Sequence, residues 1–128
     1  MIDELIKKEN IRVNCKIDNW QESIRIAGDL LLENDSIQKK YIKAMIDVVK
    51  EKGPYIVIAP GIAIAHARPE DGVNNLCMSL ITLESPIDFG NKENDPVKVV
   101  FAFGTTDDKE HIKTFRELTQ LLMRDNFI

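Results

Sequence analysis

Two segments, LCMSLITL (Leu76 to Leu83) and VKVVFAF (Val97 to Phe103), are short, rich in β-branched or aromatic residues, and apolar on both faces of an extended chain. A strand of that kind is stable only where both faces are covered, so both segments belong in the middle of a sheet with helices on either side. A half-exposed hairpin sheet is excluded, and the rest of the chain must supply the covering helices.

Helical spacing is found where it is needed. Asp18 is an N-cap candidate with Gln21 three residues on, and Trp20, Ile24, Ala27 and Leu31 then recur along one helix face, predicting a helix from about Asn19 to Glu33. Ile37, Tyr41, Ala44 and Val48 repeat the spacing in a second helix, which Gly53-Pro54 must end near Lys52. After Gly104, the run TTDDKEH offers N-cap and acidic first-turn residues to a third helix marked by Ile112, Phe115, Leu118 and Leu122. YIVI (Tyr55 to Ile58) reads as a further strand, and IRVNC (Ile11 to Cys15) as a shorter, weaker one. No repeat or linker divides the chain. A protein of 128 residues has room for one core that buries roughly two-thirds of its unfolded surface. The expected fold is α/β, a mixed β-sheet flanked by helices on both faces, with residues 1–128 forming a single compact domain.

Composition narrows the function classes. Seventeen basic residues against twenty-one acidic ones, without a Lys/Arg block, argue against a nucleic-acid partner. The apolar runs fall short of the roughly 18 residues that cross a bilayer, so no membrane insertion is expected. MIDELIKKEN lacks the basic and apolar regions of a secretory signal, which places the expected protein in the cytoplasm. Cys15 and Cys77 stand singly in apolar surroundings, without the spacing of a zinc or redox pair, and read as reduced buried thiols. No metal and no cofactor is expected. Trp20, Phe101, Phe103 and Phe115 read as core aromatics, since no basic residues interleave them as on a base-stacking platform.

One stretch has chemical character. APGIAIAHARPEDGV (Ala59 to Val73) reads as a loop rich in Gly, Ala and Pro that carries His66, one of only two histidines. Ala63, Ala65 and Ala67 predict an uncrowded ring with one nitrogen presented outward. Neutral imidazole is a good nucleophile near pH 7 and can carry a phosphoryl group covalently. Phosphoryl transfer asks a protein mainly for positioning and for donors aimed at the transferred oxygens. On spacing alone, a catalytic histidine, a structural one and a merely exposed one all remain open. The second histidine, His111, sits in register with Phe115, Leu118 and Leu122, so it could equally be a half-buried core residue.

The segment GPYIVIAPGIAIAHARPEDGV (Gly53 to Val73) resembles the active-site region of mannitol/fructose-type enzyme IIA proteins of the bacterial phosphotransferase system. GPYIVIAPGIA followed by HARPE is most similar to their ascorbate-type branch. The similarity runs on through LCMSLITL, PIDFGNKENDPVKVVFAF and DKEHIKTFRELTQLL, and so spans nearly all of Trp20 to Leu122. The resemblance implies a mixed sheet flanked by helices and a phosphohistidine at His66 formed from the phosphorylated carrier HPr. It further implies onward transfer to an enzyme IIB, coupled to sugar uptake through a membrane enzyme IIC, with His111 as a second histidine that supports the phosphoryl group. The rival it leaves open is a regulatory enzyme IIA-like module whose phosphorylation controls binding to a target protein.

Three departures from the family pattern carry expectations. Ala65 stands where members commonly have Pro, predicting a less rigid loop. Lys50 falls roughly where mannitol-type members place an Arg near the phosphoryl group, but it lacks Arg's bidentate fork and is left out of the expected site. The chain ends at MRDNFI where members usually continue through another helix, so a C-terminal helix of the family is expected to be missing. Arg68, Glu70 and Asp71 read as loop surface, with Glu70 and Asp71 forming an acidic rim toward a basic partner.

Overall fold

A computed structural model describes residues 6–122. The expectations about the first five residues and about the end at MRDNFI lie outside the described residues.

The elements follow in the order β1 (Ile11–Cys15), α1 (Trp20–Glu33), α2 (Lys39–Lys52), β2 (Val57–Ala59), β3 (Ile62–Ala65), β4 (Cys77–Ile87), β5 (Val97–Gly104) and α3 (Asp108–Leu122). The five strands form one sheet in the order β1-β4-β5-β3-β2. β4 and β5 lie antiparallel near its middle, β1 joins β4 and β3 joins β5 in parallel, and β2 pairs antiparallel with β3. The two segments apolar on both faces are thus interior strands, as their composition requires.

Alternation along the strands separates two cores. Val100 and Ala102 of β5, with Ala63 and Ala65 of β3, face α1 and α2 and pack with Ile24, Leu31, Tyr41 and Met45. Phe101, Phe103, Ile62 and Ile64 point the other way, against Leu118 and Leu122 of α3. The sheet is therefore flanked by helices on both faces, as expected. Phe101, Phe103 and Leu118 are each 1% exposed or less, and full burial of such side chains stabilises by roughly 1.5–3 kcal/mol each. Small residues on one face and large ones on the other set the two depths. The two helices on the alanine side also pack closely on each other: a β-carbon added at Gly28 of α1 would sit 2.7 Å from Cγ1 of Ile42 of α2. Glycine in a helix interior costs about 1 kcal/mol against alanine, and this close approach is what requires it.

Three local expectations shift. The cap of α1 lies one residue later than predicted: Asn19 Oδ1 accepts from the Glu22 amide at 2.9 Å, and Glu22 Oε1 accepts from the Asp18 amide at 3.1 Å. The reciprocal pair uses Glu22 rather than Gln21, and a carboxylate there also meets the positive end of the helix. The strand predicted at Tyr55 begins at Val57. The supposed loop from Ala59 to Val73 contains a fully buried strand, Ile62–Ala65, entered by a turn in which Gly61 takes φ +81°. Cys15 and Cys77 are buried and free, as expected.

Candidate active site

The position of His66 follows from the strand that precedes it. Ile62 and Ile64 face the α3 side of the sheet, and the same alternation sends His66 to that side just beyond the end of β3. Ala63 and Ala65 face the opposite core, so they give the imidazole no room, and the uncrowded loop predicted from them is corrected. The ring is half-buried among other rings. Its centroid lies 5.2 Å from Phe103, 5.2 Å from His111, 5.4 Å from Phe115 and 6.1 Å from Tyr55, the last edge-on. Phe115 is therefore only partly a core residue, since it also walls this site. Ala65 pairs with Ala102 as the last residue of β3 and is 1% exposed, so His66 follows directly on paired, buried backbone.

His111 arrives from the first turn of α3. Asp107 Oδ1 accepts from the Glu110 amide at 2.7 Å, and Glu110 Oε1 accepts from the Thr106 amide at 3.0 Å, a reciprocal cap that fixes where the helix starts. One turn further along, Phe115 stacks on His111 with the ring planes 5° apart. The two histidines, far apart in sequence, are neighbours because β3 runs parallel beside β5 and α3 follows directly from β5.

The tautomer of His66 is set by its own strand. Nδ1 lies 3.0 Å from the carbonyl oxygen of Ile64, and a carbonyl can only accept, so Nδ1 carries the proton. In the neutral ring the free lone pair is then on Nε2. Burial pushes the His66 imidazole down to about 4; the Ile64 carbonyl opposes this and neighbouring His111 adds to it. Burial also lowers His111, against the pull of Asp108. His66 is thus neutral at pH 7, with a lone pair on Nε2.

A consequence for stability has a definite sign. With the folded value below the unfolded value of 6.5, the unfolded chain binds more protons between about pH 6.5 and about pH 4. Stability therefore falls as pH drops through that window, by on the order of 3 kcal/mol from this group. Urea denaturation at stepped pH should show that slope, and His66→Gln should flatten it; equal slopes in the two proteins would contradict the assignment.

Above the ring is a cleft of about 210 Å³ lined by Lys52, Tyr55, Arg68, Pro69, Asp108 and His111. Arg68 is exposed yet borders the cleft, so its reading as loop surface is incomplete. Asp71 is occupied locally, its Oδ2 accepting from the Arg68 amide at 3.1 Å. Neither Asp71 nor Glu70 lines the cleft, whose one lining carboxylate is Asp108. Lys50 lies elsewhere, in a groove with Arg25 and Lys43, while Val48 lines the cleft. Among the described residues, no three His, Cys, Asp or Glu side chains converge as a metal site would need.

Sequence reasoning missed Tyr41. Its side chain is fully buried; its hydroxyl accepts from the Ala67 amide at 2.9 Å and donates to the Phe103 carbonyl at 2.8 Å. It thereby ties the residue after His66 to the end of β5. The available signal was a tyrosine on an apolar helix face, because a buried phenol needs a partner. Tyr41→Phe leaves an amide and a carbonyl without that partner and should cost about 1–3 kcal/mol. Thermal denaturation that matches the wild type would show that these groups find other partners.

Comparison with known proteins agrees with this geometry. A family model described as phosphoenolpyruvate-dependent sugar phosphotransferase system, EIIA 2, matches residues 4–128. The chain is 39% identical over 109 residues to the ascorbate-specific PTS system EIIA component of Escherichia coli K12, covering 85% of this chain and 71% of that protein. Its fold is similar to the solution structure of the mannitol-specific cryptic phosphotransferase enzyme IIA from Escherichia coli, with TM-score 0.87 and 33% identity, covering 98% of this chain and 85% of the other. It is also similar, at TM-score 0.78 and 27% identity, to a chain in the complex of mannitol enzyme IIA and phosphorylated enzyme IIB from Escherichia coli, covering 94% of this chain and 84% of that one.

Proposed function

This chain belongs to the phosphoenolpyruvate-dependent sugar phosphotransferase system EIIA 2 family and so serves phosphoryl transfer in sugar uptake, and on that premise we propose that Nε2 of His66 is the phosphoryl acceptor. The observation that carries the reading is the Nδ1–H···O=C bond from His66 to Ile64, which leaves Nε2 as the lone-pair nitrogen. The donor is phosphorylated HPr, and the recipient is an enzyme IIB serving a membrane enzyme IIC. Dependence of the system on phosphoenolpyruvate supports a cytoplasmic location for the chain.

The step balances without a cofactor. The Nε2 lone pair attacks phosphorus, the N–P bond of the donor phosphohistidine breaks, and its electron pair returns to the donor ring. The Nδ1 proton of His66 stays in place, and the ring becomes formally cationic. Its bond to the Ile64 carbonyl is then charge-assisted and stronger. Phe103 and Phe115 wall the ring and limit water's access to the new bond. His111, beside it, donates a hydrogen bond to a phosphoryl oxygen and supports the charged state without being the nucleophile.

The likeness to an ascorbate-specific component supports ascorbate or a related sugar acid as the sugar served. The test is a two-step transfer. Phospho-HPr should charge the protein with one phosphoryl group, and an ascorbate-type enzyme IIB should discharge it. Charging that no enzyme IIB reverses would favour a regulatory module instead.

A further inference from the structure

We propose that Lys52 and Arg68 are the counter-charges of the phosphorylated state, an inference that rests on His66 as the acceptor. Both line the cleft over the His66 ring, where Lys52 is the last residue of α2 and Arg68 lies two residues beyond His66. The only carboxylate in the lining is Asp108, so two cations face one anion there. Among the described residues the salt bridge found is Lys43–Asp47, and neither Lys52 nor Arg68 is paired with a carboxylate.

Each is held for the task by its backbone. The Arg68 amide donates to Asp71 Oδ2 at 3.1 Å and its carbonyl accepts from the Asp71 amide at 2.9 Å, so the backbone is anchored beside the cleft that the residue lines. Lys52 is placed at the negative end of α2, which favours a cation there before any phosphoryl group arrives. A phosphoryl dianion on Nε2, half-buried between aromatic rings, needs positive charge nearby, and these two side chains are the permanent cations that the cleft offers. Val48, uncharged, supplies none.

The experiment is phosphorus NMR of the loaded protein. In Lys52→Met/Arg68→Met the second ionisation of the phosphoryl group should titrate about half a unit to one unit higher than in the wild type, because without counter-charges the dianion is less stable and the monoanion gives up its proton less readily. The fraction charged at equilibrium with phospho-HPr should fall roughly tenfold. Lys52→Arg/Arg68→Lys should restore both readings. Because the two cations could instead serve docking of HPr, each protein is also loaded with phosphoramidate, a donor too small to dock. A wild-type titration midpoint in the phosphoramidate-loaded double variant would overturn the inference and leave the His66 reading intact. Label retained in His66→Ala would overturn both.

Discussion

His66→Ala is expected to take no phosphoryl group from phospho-HPr, while the wild type charges with one that is labile to acid and stable to alkali. The effect should be complete because the substitution deletes the nucleophile itself rather than one of its supports. A phosphoramidate forms only at a nitrogen with a free lone pair, and the Ile64 carbonyl holds the His66 ring in the tautomer that leaves Nε2 available. His66→Gln gives the same test with most of the side-chain volume retained, so that loss of charging is not a consequence of a cavity beside Phe103 and Phe115. Near-native thermal stability alongside absent label is the expected pairing. Charging of either variant at the wild-type level would remove His66 from the mechanism.

His111→Ala should still accept phosphate, but it should do so or pass it on about ten- to a hundredfold less well. The two ring centroids are 5.2 Å apart, close enough for a His111 nitrogen to reach an oxygen of a group on His66. A charge-assisted hydrogen bond of this kind is worth about 1.5–3 kcal/mol, which sets that range. Burial lowers the proton affinity of His111 and Asp108 opposes this only in part, so the ring is neutral near pH 7 and offers its N–H as the donor. Single-turnover charging from phospho-HPr and discharge to enzyme IIB separate the two half-reactions. Wild-type rates in both would make His111 the half-buried core histidine that its spacing with Phe115 and Leu118 also allows. No label at all in a folded His111→Ala would make it more than a support.

The remaining contrast concerns which physical signals a linear chain carries. The three helices were legible because their apolar positions repeat at helical period, and Gly53-Pro54 and the polar run after Gly104 mark an end and a start. β4 and β5 were legible because residues apolar on both faces have one stable environment. β3 was not, since IAIA is too short to show a period against the Gly, Ala and Pro around it, and its large-small alternation acquires meaning only with two unlike cores on either side. The resemblance pointed to His66, and chemistry made it a reasonable nucleophile, but its tautomer depends on a carbonyl two residues back that only a strand ending can aim at Nδ1.

By itself, then, the sequence determined the layered α/β class, the helices and the histidine worth testing, because those follow from local period, capping chemistry and residue type. The tertiary structure decided the neighbours. Parallel pairing of β3 with β5 brings His66 beside His111, and the Tyr41 hydroxyl ties Ala67 to Phe103. Which cations share the cleft was likewise settled in space, with Lys52 and Arg68 at the site and Lys50 in another groove. Such contacts join residues distant in sequence, and no local pattern encodes them; they exist only once the strands have chosen their order.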